Sequence, residues 1–490
     1  MLDHFRASVA ALALLAAPAF AQQDSITLGM VLEPPTLDPT ANAAAAIDEI
    51  VYANLFEGLT RFGPDGAILP ALATSWDVED EGRVYVFHLA PDVQFHNGNA
   101  FTAEDVVFTL NRARAEDSTN AQKALFEGIE AVEAEGDLTV RVTLSDADGM
   151  FPFKMAWGDA VMLNEPSVGD LAQHPIGTGP FRFETWRQGD SVTLTAFDGY
   201  WGEKPALNSA TFRFIPDPSA AFAAMMSGGV DAFPLYPAPE TLPQLEADPR
   251  FRVITGTTEG ETIMSLNKAH PALSDVRVRQ ALAHAINRQE IIDGAMFGYG
   301  TPIGTHFAPH HPAYVDLTPM SEYDPERARE LLAEAGASDL SLRLALPPPP
   351  YARRGGEIIA AQLRAVGVET QITNMEWAQW LEQVFTNKDY DLTIISHVEP
   401  MDIGIYARED YYFNYDNPQV NEAIAALNLA TDEAEQTRLM QQAQTLIAED
   451  YANVFLFQLA KTGVADARLE GLWENAPTPA NDLTAVRWRE

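Results

Sequence analysis

The chain has 490 residues, 47% of them hydrophobic, a formal net charge of −39 from 70 acidic and 31 basic residues, and no cysteine. Single hydrophobic cores stop growing at roughly 250–300 residues, so two or three lobes are expected. The charge excludes a general nucleic-acid or anionic-membrane role, and the missing thiols exclude disulfides, thiolate metal sites, cysteine nucleophiles and a lipid-modified N-terminal cysteine. The acidic surface reads as a solvated, salt-adapted exterior, with attraction of cationic ligands as the alternative.

The N-terminus, MLDHFRASVAALALLAAPAFAQQ, combines Arg6, an apolar run from Val9 to Ala17 and an Ala19-Phe20-Ala21 cleavage pattern. This predicts a signal peptide over residues 1–21. Its apolar run is shorter than the roughly 20 residues a membrane span needs. With export and no lipid anchor, an outer membrane is the simplest means of retention, so a periplasmic protein is expected.

SITLGM alternates as a strand, and Pro34-Pro35 ends it. AAAAIDEIVYANLFEGL predicts a helix with Ile47, Ile50, Val51 and Leu55 on one face. Residues 61–150 read as β-rich with turns, including a half-buried strand VYVFHL and a helix capped by Thr102. GPFRFETW, SVTLTAF and ATFRFIP follow as strands, then SAAFAAMM as a helix. In the C-terminal half helices and strands alternate. SDVRVRQALAHAINRQEIIDG predicts one helix from Ser274 to Gly294, and YDPERARELLAEAG another, with Asp324 as N-cap, Pro325 at the first position and Gly336 at the end. LSLRLAL is a strand, ARRGGEIIAAQLRAVG a helix, VETQI and DLTII strands, and residues 421–451 two more helices. Mixed α/β lobes fit this order.

Few motifs suggest catalysis. Gly177-Thr178-Gly179-Pro180 lacks the lysine of a phosphate loop, and Pro180 offers no N–H, so a turn or hinge is expected. His310-His311 point apart in an extended chain and lack a third ligand nearby; there is no H-E-x-x-H and no G-x-S-x-G. No catalytic residue, metal ligand or cofactor is expected. Arg353-Arg354, at the start of a helix, suit a carboxylate, or are simply an exposed pair. ISHVEPMDIGIYAREDYYFNY (395–415) leaves the end of a strand, where open α/β sheets bind ligands.

ANLFEGLTRFGPDGAILPALATSW (53–76), FHNGNAFTAEDVVFTLNR (95–112), PIGTGPFRF (175–183), DGYWGEKPALNSATFRFIPD (198–217) and SDVRVRQALAHAINRQEII (274–292) occur in an order that resembles the extracytoplasmic solute-binding proteins of the peptide/nickel ABC-transporter family. The resemblance covers nearly the whole exported chain. It implies a type-II periplasmic binding protein: an α/β, bilobal fold with an extra β-rich domain and a ligand cleft between the two main lobes. Lobe I would comprise residues 22–57, 176–262 and 463–490, lobe II 58–175 and lobe III 263–462. It implies a monomeric receptor, not an enzyme, that delivers a small polar ligand such as a peptide to permease subunits at the inner membrane. Alternatives are a receptor of the same fold for a nickel chelate, opine or sugar-like solute, and a secreted hydrolase using carboxylates such as Glu399 and Asp402.

The resemblance also implies site residues. Dipeptide-binding relatives hold the ligand carboxylate with an arginine at the place of Arg353 or Arg354, and bring a tryptophan near the pocket at Trp377. Leu32, Glu33 and Trp157 fall on other segments that approach the cleft. Peptide-binding relatives carry Gly-Trp and then Gly-Asp after the strand, the aspartate pairing with the ligand ammonium. Here Ser396-His397 and Glu399-Pro400-Met401-Asp402 stand instead. Glu399 or Asp402 is the expected ammonium partner, with His397, Tyr406 and Tyr412 offering further donors and acceptors. Nickel would suit such N and O donors, but only one histidine is local in sequence.

Overall fold

The computed structural model describes residues 23–489; the expected signal peptide lies outside them. Among the described residues, no helix is long and apolar enough to cross a membrane.

The chain begins with β1 (Ser25–Met30), whose alternating apolar side chains are buried, and a short helix α1 (Ala45–Val51). The predicted longer helix stops at Val51 because Tyr52 is extended and Ala53 takes a positive φ of 58°. A four-stranded sheet follows, built from β2 (Ala73–Glu79), β3 (Val84–Leu89), β4 (Ile129–Ala134) and β5 (Thr139–Leu144) in the order β2-β3-β5-β4. Helix α2 (Ala103–Arg114) packs on it, opened by a capping box between Thr102 and Asp105. These elements surround one apolar core that includes Phe87, Phe95, Leu110 and Val142.

The remaining strands belong mostly to one large sheet. In chain order they are β6 (Phe181–Arg187), β7 (Ser191–Ala196), β8 (Ser209–Phe214), β9 (Ala232–Phe233), β10 (Phe251–Leu266), β11 (Ser341–Leu346), β12 (Glu369–Asn374), β13 (Leu392–His397) and β14 (Val454–Asp466). The sheet order is β12-β11-β13-β10-β14-β9-β1-β8-β7-β6. One end packs on a core with Leu28, Ile50 and Phe212; the other packs on cores with Leu282, Ile359 and Ile394 and with Ile263, Tyr412 and Ile447. The strands β10 and β14, 16 and 13 residues long, run through both ends.

Their ladder shifts register between Thr257 and Glu261. Such an irregularity bends a strand pair. Gly256 sits beside it because a Cβ there would lie 2.1 Å from the Glu474 carbonyl oxygen. His310 ties the bend down, its Nδ1 lying 2.6 Å from Thr257 Oγ1 and its Nε2 2.8 Å from Glu259.

The predicted helix over 274–294 is two helices, Val276–His284 and Arg288–Ala295. Asn287 interrupts it by accepting from the Glu290 N–H, and Asp275 rather than Ser274 caps the first piece by accepting from Arg277 N–H. Asp324, Pro325 and Gly336 stand as expected, Gly336 at a φ of 69°.

One contact pins together the segments that enter and leave the β-rich unit, and a second ties the unit to the C-terminal helices. The Glu57 carboxylate accepts from Thr178 Oγ1 at 2.8 Å, Tyr200 Oη at 3.0 Å and Trp201 Nε1 at 2.9 Å. On the other side, Gly149 N–H donates to the Asn428 carbonyl at 2.7 Å, and Gln436 Nε2 donates to the Gly149 carbonyl at 2.9 Å.

Candidate functional site

In β13, paired antiparallel with β10, His397 stands directly opposite Glu261. The same strand runs parallel to β11, so His397 marks its carboxyl end, where open α/β sheets leave a crevice. Beyond it the chain turns sharply through Met401, at a φ of 60°, into a short 3₁₀ segment, Asp402–Ala407. The turn brings Asp402 back over the strand end. His306, from the segment after the Thr301–Pro302 strand, fills the gap between the two acids.

The resulting cluster is tight. His306 Nδ1 lies 2.8 Å from Glu261 Oε2, and His306 Nε2 lies 2.8 Å from Asp402 Oδ1. His397 Nδ1 lies 3.5 Å from Asp402 Oδ2, and its Nε2 lies 3.1 Å from the Tyr412 hydroxyl. Tyr412 stacks on His397 at 16° between planes, and Tyr406 meets the His306 ring edge-on at 90°. Glu261 and His306 are buried, with 2% of each side chain exposed; Asp402 shows 17%.

Burial disfavours charge on every member, so the balance decides. Burial, against the pull of His306, pushes the Glu261 carboxyl up to about 7. For His306 burial is outweighed by Glu261 and Asp402, which hold the imidazole up at about 10. Burial is likewise outweighed at Asp402, where His306 and His397 hold the carboxyl well below the usual carboxylate range. His306 is therefore an imidazolium clamped between two acids. The negative charge of Asp402 is already in use.

Other expected site residues fall into three settings. Glu399 is exposed, and its Oε2 accepts from the Val398 N–H at 3.2 Å. Tyr406 and Tyr412 are buried and frame the cluster. Arg353 donates to the Met375 carbonyl at 3.1 Å and to Glu376 Oε1 at 2.9 Å, whereas Arg354 is exposed with its guanidinium 5.8 Å from the Phe297 ring. Trp377 is 42% exposed and edge-on to buried Trp380. At the other end of the sheet Leu32 is 64% exposed, and Glu33 accepts from Trp186 Nε1 and Gly189 N–H, both at 2.9 Å. Trp157 packs edge-on against Phe153 with its Nε1 unpartnered. The fold thus gathers His397, Glu399, Asp402, Tyr406 and Tyr412, and keeps Leu32, Glu33 and Trp157 apart from them.

His306 and Glu261 were not singled out by sequence. The available signal was weak: a lone acid opening the run ETIMSLN, and a third histidine beside the His310-His311 pair. Among the described residues, donors of Glu261, His306 and Asp402 lie within 4.8 Å of one another, as do those of His397, Glu399 and Asp402. Next to Met401 opens a cavity of about 170 Å³ between the β-rich unit and the β13 end of the sheet. Trp76, Tyr85, Met150, Phe153 and Met440 give it an apolar lining.

Residues 67–419 match the model for bacterial extracellular solute-binding proteins, family 5. The chain belongs to this family. Its fold is that of the type-II periplasmic binding proteins, and its role is the solute-binding component of an ABC importer. The receptor is 30% identical to a glutathione-binding protein, GsiB, of Pectobacterium atrosepticum, over 94% of this chain and 93% of that one. Among solved structures it overlays on the unliganded open form of a periplasmic murein tripeptide-binding protein, MppA, with a TM-score of 0.87 at 19% identity, covering 96% and 98% of the two chains. It overlays on the oligopeptide-binding protein AppA of Bacillus subtilis in complex with a nonapeptide with a TM-score of 0.70 at 24% identity, covering 96% and 99%. Family members are binding proteins that work with permease components.

Proposed function

We propose that this receptor captures a small, polar, peptide-like ligand between the two ends of its large sheet, closes over it, and delivers it to inner-membrane permease subunits without chemical change. The reading takes residues 22–57, 176–262 and 463–490 as lobe I, 58–175 as lobe II and 263–462 as lobe III. It takes the protein as a periplasmic monomer released from its signal peptide.

The observation that carries it is the bend in β10 and β14. Two strands traverse both ends of the sheet, and they lose register at Thr257–Glu261, beside the site. A few residues absorbing rotation between rigid cores make a hinge. The higher overlap with an unliganded open form than with a peptide complex supports an open receptor.

The chemistry supports a zwitterionic ligand with an apolar part. Asp402 is paired with His306, so exposed Glu399 takes the ammonium. Arg353 or Arg354 takes the carboxylate in bidentate fashion, and Trp377 covers it. The Met401 chamber takes the apolar group, and Leu32, Glu33 and Trp157 close from the opposite wall. Names of relatives with glutathione and peptide ligands point the same way.

Thermal denaturation against di- and tripeptides, glutathione, opines, amino sugars, sugars and nickel chelates tests this. A true ligand at 100-fold its dissociation constant stabilises by about 2.7 kcal/mol. Stabilisation by a peptide-like compound, lost in Glu399→Gln, is expected. Stabilisation by sugars alone, or turnover of a peptide, would sink the reading.

A further inference from the structure

The β-rich unit is pinned to lobe I at Glu57, yet one knuckle of it, residues 148–150, is seated on the C-terminal helices of lobe III. We infer that this knuckle is a latch that holds the empty receptor open and must release before the receptor closes. The inference rests on the receptor reading above and gives the β-rich unit a task within it.

The contact is specific. Gly149 N–H donates to the Asn428 carbonyl at 2.7 Å, near the end of the helix Pro418–Leu429. Gln436, in the helix Glu433–Glu449, donates from Nε2 to the Gly149 carbonyl at 2.9 Å and to the Ala430 carbonyl at 2.7 Å. One side-chain amide thus joins the two units. Gly149 has no room for a side chain, because a Cβ there would collide with the Ala430 carbonyl. Met150, next in the chain, packs against the core that includes Ile424 and Met440.

A second contact between the same units lies beside the hinge. A Cβ on Gly66 would stand 3.5 Å from His311, whose neighbour His310 is bound to Thr257 in the bend. Contacts close to a hinge move little as two bodies rotate, and contacts far from it move most. The cavity beside Met401 separates the two contacts: Gly66 and His311 line it from one, Gly149 and Gln436 from the other. The Glu57 carboxylate carries the β-rich unit along with lobe I. Lobe III therefore cannot turn about Thr257–Glu261 while the knuckle stays seated. Each latch bond favours the open state, and a ligand shifts the balance only by preferring the closed one.

Single-molecule energy transfer on the empty receptor tests the latch. The chain has no cysteine, so dyes can be attached at Gln188→Cys and Gln379→Cys, exposed positions near Glu33 and Trp377 on the two walls. In Gln436→Ala the closed fraction should rise about 10-fold, the shift expected when two hydrogen bonds of ordinary net strength are lost. Gly149→Ala, which cannot seat, should shift the same way. Closed fractions unchanged in both variants would overturn the latch, as would a shift of either toward wider separation. If the wild-type dyes approach on adding glutathione or other tripeptides while both empty variants stay unchanged, the latch alone is rejected. Dyes that approach in no sample would reject the receptor reading along with it.

Discussion

Replacing His306 with alanine is expected to destabilise the protein by about 4 kcal/mol. The residue bridges two acids at 2.8 Å on each side, in a site that water hardly reaches. Removing one partner of a buried ion pair costs about 3–5 kcal/mol, because the remaining charge stays buried and uncompensated. Here two carboxylates would remain, facing each other. Adding Glu261→Gln to His306→Ala should recover part of the loss by removing one of those charges. Urea denaturation of the single and double variants measures both effects. A cost below about 1 kcal/mol for His306→Ala would mean that the clamp does not exist in solution.

The same cluster sets a pH dependence with a definite sign. His306 is raised from 6.5 to about 10, so its contribution is complete below pH 6.5 and is lost as pH rises through 10. Glu261, raised from 4.5 to about 7, acts in the same direction within its lower window. Asp402, held low, acts oppositely, and its contribution is lost only in strong acid, below its ordinary value of 3.8. His397, raised by Asp402 against burial, sides with His306. The cluster therefore stabilises most near pH 4 to 4.5, loses the Glu261 part as pH rises through about 7, and loses the His306 part toward pH 10. In His306→Ala the upper part of that decline should disappear.

Glu57→Ala is the second large effect, again about 4 kcal/mol. Its carboxylate gathers a hydroxyl from Thr178, a phenol from Tyr200 and an indole from Trp201. Burial pushes it up to about 6, so the three donors partly offset a real desolvation cost. Without it, a buried Thr178 hydroxyl and the half-buried Tyr200 and Trp201 donors lose their acceptor, at about 1–3 kcal/mol each where water cannot replace it. Glu57→Gln should fall between, since its amide nitrogen would oppose a donor. Hydrogen exchange should quicken over residues 175–201, which this carboxylate holds to the segment after α1. Unchanged exchange there, with normal stability, would show that the junction is held by packing alone.

Much of this architecture could be read from local chemistry. The 3.6-residue periodicities and caps around Thr102 and Asp324 depend on neighbours in sequence, and they stand where expected. The Ser274 expectation failed narrowly because two good capping residues are adjacent. Asp275 reaches the Arg277 N–H, while the Ser274 hydroxyl donates to the Pro271 carbonyl. Asn287 divides a continuous apolar stripe because its side chain competes for the backbone, which periodicity does not register.

The site was legible only in part. The stretch after β13 stood out by composition, and Asp402 and His397 do meet there. Their partners come from 141 and 96 residues upstream of Asp402, at Glu261 and His306. That meeting depends on the register that sets Glu261 opposite His397. A single-residue slip would turn Glu261 to the other face. No local pattern encodes such a register, so a histidine judged isolated in sequence acquired a neighbour in the fold.

Small-angle scattering on the receptor, with and without a ligand that stabilises it, tests the hinge most directly. Closure about the Thr257–Glu261 bend requires the radius of gyration to fall on saturation, and to return when the ligand is dialysed away. A saturated receptor with the same radius of gyration as the free one would contradict closure.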